Sequence, residues 1–275
     1  MLEYFEKVFI FIIGAVVGSF LNVCIYRLPR QESIISPASH CPQCQKSIVW
    51  YDNIPILSYF FLWGRCRYCK VKISFRYVLV ESITAISFVL FYQHFGFSFN
   101  LVYYLILICC LIVATFVDLA HRIIPDEVSI GGMLFALVVN ILRGISINPL
   151  HFSFYPGFMS LLGILVGGGI LFSVGWIFDL VYFKILKRPP IQGETESMGG
   201  GDIKLLAMIG AFLGWKAALL TFFIAPFLGI FVAIGNLLVR KDHLIPYGPF
   251  LSLAAVITIF WQQSILNIFF LPRLF

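Results

Sequence analysis

The sequence predicts an all-α polytopic membrane protein of about eight transmembrane helices, with a small four-cysteine domain after the first. Three observations carry this. Of 275 residues 60% are hydrophobic and only 12% charged, with mean hydropathy +0.96, whereas a soluble domain carries roughly 25% charged residues. Apolar runs near the ~20 residues that span a bilayer recur along the chain. One long polar interruption, 26–76, breaks the pattern and holds two CxxC pairs.

The first run, 8–25, ends in "SFLNVCIYRLPR" with no small-residue cleavage site, so it reads as a retained helix and not a removed signal peptide. Further runs fall at 77–93, 101–120, 128–142, 157–183, 203–215, 217–239 and 249–271. The run at 203–215 is short and glycine-punctuated, as a partial or tilted span would be, and leaves counts of seven or nine open. The expected division is a first helix over 1–25, a four-cysteine domain over 26–76 and a membrane core over 77–275. The net charge of +6 sits in loops, which points to membrane topology and not to nucleic acid. With eight spans, only Lys7, Arg143, Lys216 and Arg273 fall on one side; the other fifteen basic residues share the opposite side. Basic loops stay inside, so that side is expected to be cytoplasmic, with both termini outward.

"CPQC" places Cys41 and Cys44, and "CRYC" places Cys66 and Cys69. Two CxxC turns complete a tetrahedral four-sulfur shell around one zinc ion. Disulfides and a redox site are the alternatives; a reducing cytoplasm disfavours disulfides. A closed shell has no open position for substrate, so the zinc would be structural. Cys24, Cys109 and Cys110 lie in apolar runs and read as small buried residues. His40 reads as a solvated loop residue beside Cys41.

Acids are scarce, with 13 in the chain, so their positions matter. Asp118 ends the third span in "ATFVDLAHRIIPDEV", and Asp202 opens the sixth in "MGGGDIK". An acid inside a transmembrane helix costs about 2.5–3.5 kcal/mol on insertion scales. Singly, Asp202 reads as a helix cap and Asp118 as a partner of Arg122 at i+4. Together, on one membrane face, they suggest a carboxylate pair sharing one proton: one acid activates water, the other donates to a peptide carbonyl. Gly199, Gly200 and Gly201 would let an extended peptide lie alongside. Lys204 has two readings, favouring ionised Asp202 or reaching lipid headgroups.

At these residues the chain resembles the type IV prepilin peptidases. "GSFLNVCIYRLPR", "CPQC…CRYC", "YDNIPILSY", "VDLAHRIIPD", "GGGDIKLLAMIGAFLG" and "IPYGPFL" carry the resemblance from about residue 14 to about 253. A GxGD motif alone is also similar to presenilins and signal peptide peptidases. The resemblance implies a GxGD-type aspartic protease architecture in the bacterial inner membrane, with Asp118 and Asp202 catalytic. It implies removal of the basic leader of prepilins and pseudopilins on the cytoplasmic face, between Gly and usually Phe. It also implies methylation of the new N-terminus with S-adenosylmethionine. No nucleotide-binding motif marks where that methyl donor binds, and "VGGGI" at 166–170 reads as helix packing.

Three features keep open roles. Asp126 is expected to cap the helix after Pro125. "IPYGPF" breaks the chain before the last span and, by analogy with presenilins, also has the reading of a groove border. Glu81 has two readings, a contact with Arg76 or with the acid pair. A transporter with a zinc-sensing loop and a methyltransferase without peptidase activity are the competing functions. The partners expected are a prepilin or pseudopilin substrate and the bilayer, with no nucleic acid; the residues leave the oligomeric state open.

Overall fold

The computed structural model describes residues 1–146, 154–187, 198–239 and 246–269. Arg188, Arg240, Lys241, Arg273 and Ile245, used above in the topology and motif readings, lie outside them. The described chain is helical apart from two isolated bridges. Eight long helices coincide with the eight apolar runs: α1 (Leu2–Arg27), α3 (Arg76–Phe95), α4 (Phe99–His121), α5 (Asp126–Ser146), α6 (Tyr155–Asp179), α7 (Gly200–Leu213), α8 (Trp215–Val239) and α9 (Gly248–Phe269). A five-residue α2 (Leu57–Phe61) lies in the cysteine segment. Among the described residues, six helices are long and apolar enough to cross a membrane. α7 is not, because 14 residues reach only about 21 Å at 1.5 Å each.

The helices fall into two compact units, Met1–Val117 and Asp118–Phe275. In the first, α1 packs on α3 along a seam of small residues. A side chain at Gly14 would strike Ala85 and Phe88, and one at Gly18 would strike Glu81 and Thr84. This is how helices associate in lipid, where apolar side chains gain nothing by leaving the bilayer and close packing supplies the attraction. Arg27, at the end of α1, is buried and donates to the carbonyls of Ser33 and Pro37 at 2.8 and 2.7 Å, which ties the cysteine loop to the helix.

In the second unit α7 is the buried centre: every residue from Leu205 to Phe212 is buried. A helix apolar all round belongs in a core. Its close neighbour is α6, where a side chain on Gly163 would overlap the backbone of Gly210, and the reverse. Gly167 faces the Leu206 carbonyl in the same way, so the "VGGGI" stretch packs helices as its composition suggested. Ser160 and Asn140 both donate to the Ala211 carbonyl, at 2.8 and 3.3 Å, adding polar ties that lipid cannot replace. α7 ends at Gly214, whose φ of +83° suits glycine alone. α8 and α9 meet through the buried pair Thr221 and Thr258, 3.3 Å apart.

Candidate active site

The segment between α1 and α3 builds two matching turns. In each, the first cysteine's carbonyl accepts the N–H of the residue four places on (Gln45 to Cys41 at 2.8 Å, Lys70 to Cys66 at 3.0 Å). The first cysteine's own N–H returns to the carbonyl five places on, Lys46 in one turn and Val71 in the other. Gln45 and Lys70 both take φ +58°, the left-handed step that lets each turn present two sulfurs. The four Sγ atoms of Cys41, Cys44, Cys66 and Cys69 lie within 4.8 Å of one another, and those of Cys41 and Cys69 are 3.7 Å apart. A tetrahedron with metal–sulfur bonds of about 2.3 Å has edges near 3.8 Å. The set therefore fits one ion with no fifth protein ligand. Backbone N–H groups of Cys69 and Tyr68 hold the Cys66 thiol down at about 7, toward the thiolate a metal needs. At Cys69 the Val71 N–H pulls the thiol down, but partial desolvation and the facing thiols of Cys66, Cys41 and Cys44 together push it up to about 11. Asp52, in the turn Trp50–Asn53, binds Arg67 of the second cysteine pair through both carboxylate oxygens, and that guanidinium holds its carboxyl below the usual range.

The acids of the second unit meet at helix N-termini. Asp118 lies one turn before α4 ends at His121 and is only 6% exposed. Its Oδ2 accepts the N–H of Gly248 at 2.9 Å in a buried contact. Gly248 is the first residue of α9, so this N–H has no partner within its own helix. The carboxylate thus faces the positive end of α9, where peptide dipoles favour an anion. Gly248 permits the approach: a Cβ built there falls 2.7 Å from Asp118 Oδ2.

Asp202 stands in the first turn of α7, after Gly199 in extended backbone begins the helix. Its carboxylate lies near enough to that of Asp118 for the two charges to repel. Among the described residues it accepts no hydrogen bond. The pair is therefore unequal, with Asp118 buried and held, and Asp202 half-buried and free to turn. Tyr247 is also close, its hydroxyl pushed up to about 12 by burial and then by the Asp202 charge; it stands there as a neutral phenol.

The three glycines differ. A side chain on Gly200 would meet open space. One on Gly199 would come 3.4 Å from Asp202 Oδ2, and one on Gly201 would press on Ile124 at 3.1 Å. Gly201 thus packs α7 against the segment after α4, whereas Gly199 borders Asp202 and Gly200 faces open space. Lys204 takes neither role read from the sequence: its Nζ binds Asp126 Oδ1 at 2.6 Å. Asp126 is the first residue of α5 and spends its carboxylate on that ion pair, while the Pro125 carbonyl starts the helix by accepting the N–H groups of Val128 and Ser129. Glu81 makes no ion pair with Arg76: its Oε2 accepts the Ile56 N–H at 2.7 Å.

Reading of the sequence missed the role of Gly248. The signal was present in "PYGPF": a proline one residue into a helix marks its start, and the glycine before it marks a close approach.

The fold and site define a multi-pass helical membrane protein with paired carboxylates at helix N-termini and a four-cysteine domain that could hold a metal ion. Residues 12–95 match the bacterial peptidase A24 N-terminal domain, and residues 105–234 match the type IV leader peptidase family. The chain belongs to that family. It is 38% identical over 231 residues to the prepilin leader peptidase/N-methyltransferase of Myxococcus xanthus, covering 84% of this chain and 63% of that protein. It is 34% identical to the protein of the same name from Aeromonas hydrophila, covering 95% and 92%. To that of Pseudomonas aeruginosa it is 32% identical, covering 92% and 90%. No solved structure matches.

Proposed function

We propose that this chain is a leader peptidase and N-methyltransferase for type IV prepilins and pseudopilins, working at the cytoplasmic face of a bacterial inner membrane. Asp118 and Asp202 are its catalytic pair. The carrying observation is that two acids 84 positions apart in sequence lie within electrostatic reach at the starts of α7 and α9.

The inequality of the pair supports a division of roles. Asp118, held by the Gly248 N–H at a helix N-terminus, carries the negative charge and takes the proton of the attacking water. Asp202, free of hydrogen bonds, carries the shared proton and gives it to the scissile carbonyl oxygen. Two carboxyls this close titrate as a pair and do not both ionise readily. Water adds to the carbonyl carbon, the tetrahedral intermediate collapses, and the C–N bond breaks as the nitrogen takes a proton from the pair. No covalent intermediate forms with the enzyme. The substrate helix must unwind locally, because helical peptide groups are engaged in their own hydrogen bonds. Gly199 and Gly200 offer it a side-chain-free edge beside Asp202.

Cys41, Cys44, Cys66 and Cys69 would hold a zinc ion that staples a segment too small to keep a core. S-adenosylmethionine, when bound, supplies an electrophilic methyl group. Acceptor groups suited to a cationic reactant lie in Met1–Val117, where Glu81 is buried and the buried Asn22 Oδ1 lacks a donor.

The test is mass spectrometry of a prepilin co-expressed with the enzyme, reading leader loss and methyl addition on one molecule. Asp118→Asn and Asp202→Asn should each lower leader removal by at least about 10²-fold while the protein still inserts. Normal processing by either variant ends the assignment.

A further inference from the structure

Among the described residues, leader removal leaves one buried acid unused. Glu81 sits on α3 opposite Gly18 and is 7% exposed. No lysine, arginine or histidine of the described residues forms an ion pair with it. A carboxylate out of water without a cation is costly, so the protein keeps it there against a penalty.

Its surroundings are built, not incidental. The Ile56 N–H that donates to Oε2 is aimed by a tight turn in which the Leu57 N–H returns to the Pro55 carbonyl at 2.6 Å. Ile56 takes φ +63° and ψ −56° there, the strained hand of a γ-turn and a rare one for a β-branched residue. Strain of this kind persists where surrounding structure over-determines it, and it gathers at ligand sites. The Ser19 hydroxyl of α1 faces the same carboxylate.

One helical turn along the seam lies Asn22, 2% exposed. Its Nδ2 donates to the Tyr77 carbonyl at 3.0 Å, and its Oδ1 has no donor. Tyr77 and Glu81 are four apart on α3, and Ser19 and Asn22 three apart on α1, so all four share one seam. The seam thus offers a buried carboxylate without a cation and a buried amide oxygen without a donor. The complementary group carries positive charge and N–H donors together. A primary ammonium has both; a sulfonium has the charge but no N–H.

The geometry points to the Glu81–Asn22 seam as the site that receives the new N-terminal ammonium of the cleaved peptide for methylation. This rests on the methyltransferase reading. Glu81 takes one proton from the ammonium, which frees the nitrogen lone pair. The nitrogen then bonds the donor's methyl carbon as the carbon–sulfur bond breaks, its electron pair staying on sulfur. The product leaves as an N-methylammonium, and Glu81 releases its proton to water. Asn22 Oδ1 accepts an N–H and fixes the direction of the lone pair.

Glu81→Gln separates this role from that of an anchor for the cysteine loop, because the amide oxygen still accepts the Ile56 N–H. In the co-expression assay, Glu81→Gln should remove the leader at the wild-type rate while the methylated fraction of product falls by about 10²-fold, the worth of a positioned base. The purified full chain should keep its bound metal and, by equilibrium dialysis, its retention of radiolabelled S-adenosylmethionine. Asn22→Leu should also lower methylation and spare leader removal. Wild-type methylation in Glu81→Gln would overturn the assignment. So would joint loss of cleavage, metal and methylation, since that marks an anchor. A wild-type enzyme that removes leaders but adds no methyl mass would instead end the methyltransferase reading itself.

Discussion

Gly248→Ala tests how Asp118 is held. A Cβ at that position falls 2.7 Å from Asp118 Oδ2, 3.3 Å from Cγ and 3.4 Å from Cβ. Ordinary carbon–oxygen contact begins near 3.4 Å, so the carboxylate or the start of α9 must retreat by about 0.7 Å. That would stretch the 2.9 Å hydrogen bond to about 3.6 Å, beyond useful range. A buried hydrogen bond to a charged group contributes about 1.5–3 kcal/mol. If that stabilisation acts mainly in the transition state, leader removal should slow by about 10- to 150-fold. A misplacement approaching 1 Å has a similar effect on its own. The assay is time-resolved cleavage of a prepilin in membranes holding equal amounts of each enzyme, with methylation of a leaderless peptide as the control for folding. A variant that cleaves at the wild-type rate would refute the assignment of Asp118 as the anchored base.

Three further outcomes are expected. Asp126→Asn or Lys204→Met breaks an ion pair whose side chains are 57% and 41% exposed; such pairs contribute about 0–1 kcal/mol, so leader removal should change by less than about tenfold, and a complete loss would give Asp126 a direct part in the reaction. Chelation, or Cys66→Ser, should release one metal ion per chain by elemental analysis and expose the cysteine segment to protease; because Arg67 lowers the Asp52 carboxyl, the order contributed by that pair is full above the ordinary carboxylate value of about 4 and lost as pH falls through the lowered one, so Asp52→Asn should lose protection even at neutral pH. Gly210→Val would drive a side chain into the backbone of Gly163, and its yield of folded protein after detergent extraction should fall sharply, since nothing rigid on α6 can move aside.

The helices were legible because lipid imposes a simple requirement, a long apolar run with its hydrogen bonds satisfied internally. The eight runs read from the sequence are the eight long helices observed. The cysteine cluster was legible because its spacing is local: Cys41 to Cys44 and Cys66 to Cys69 each form one turn. Contacts between distant elements were not. Nothing near Gly248 in sequence says that its N–H reaches Asp118, 130 positions away. Lys204 reads toward Asp202 or toward lipid headgroups because only its neighbours along the chain are in view, yet residues two apart on a helix point apart, and its partner comes from α5. Glu81 was visible as an oddity, but its partner hangs on a strained backbone at Ile56 that no residue type announces.

The brevity of α7 has a consequence for where water can go. A rod about 21 Å long cannot fill a hydrocarbon slab of about 30 Å, so when its far end meets one surface, the end bearing Asp202 stops short of the other. Longer helices pack around α7, so the shortfall is a notch inside the protein that solvent can enter, and not a thinning of the film. The notch so formed is where a greasy peptide could meet water without leaving the membrane.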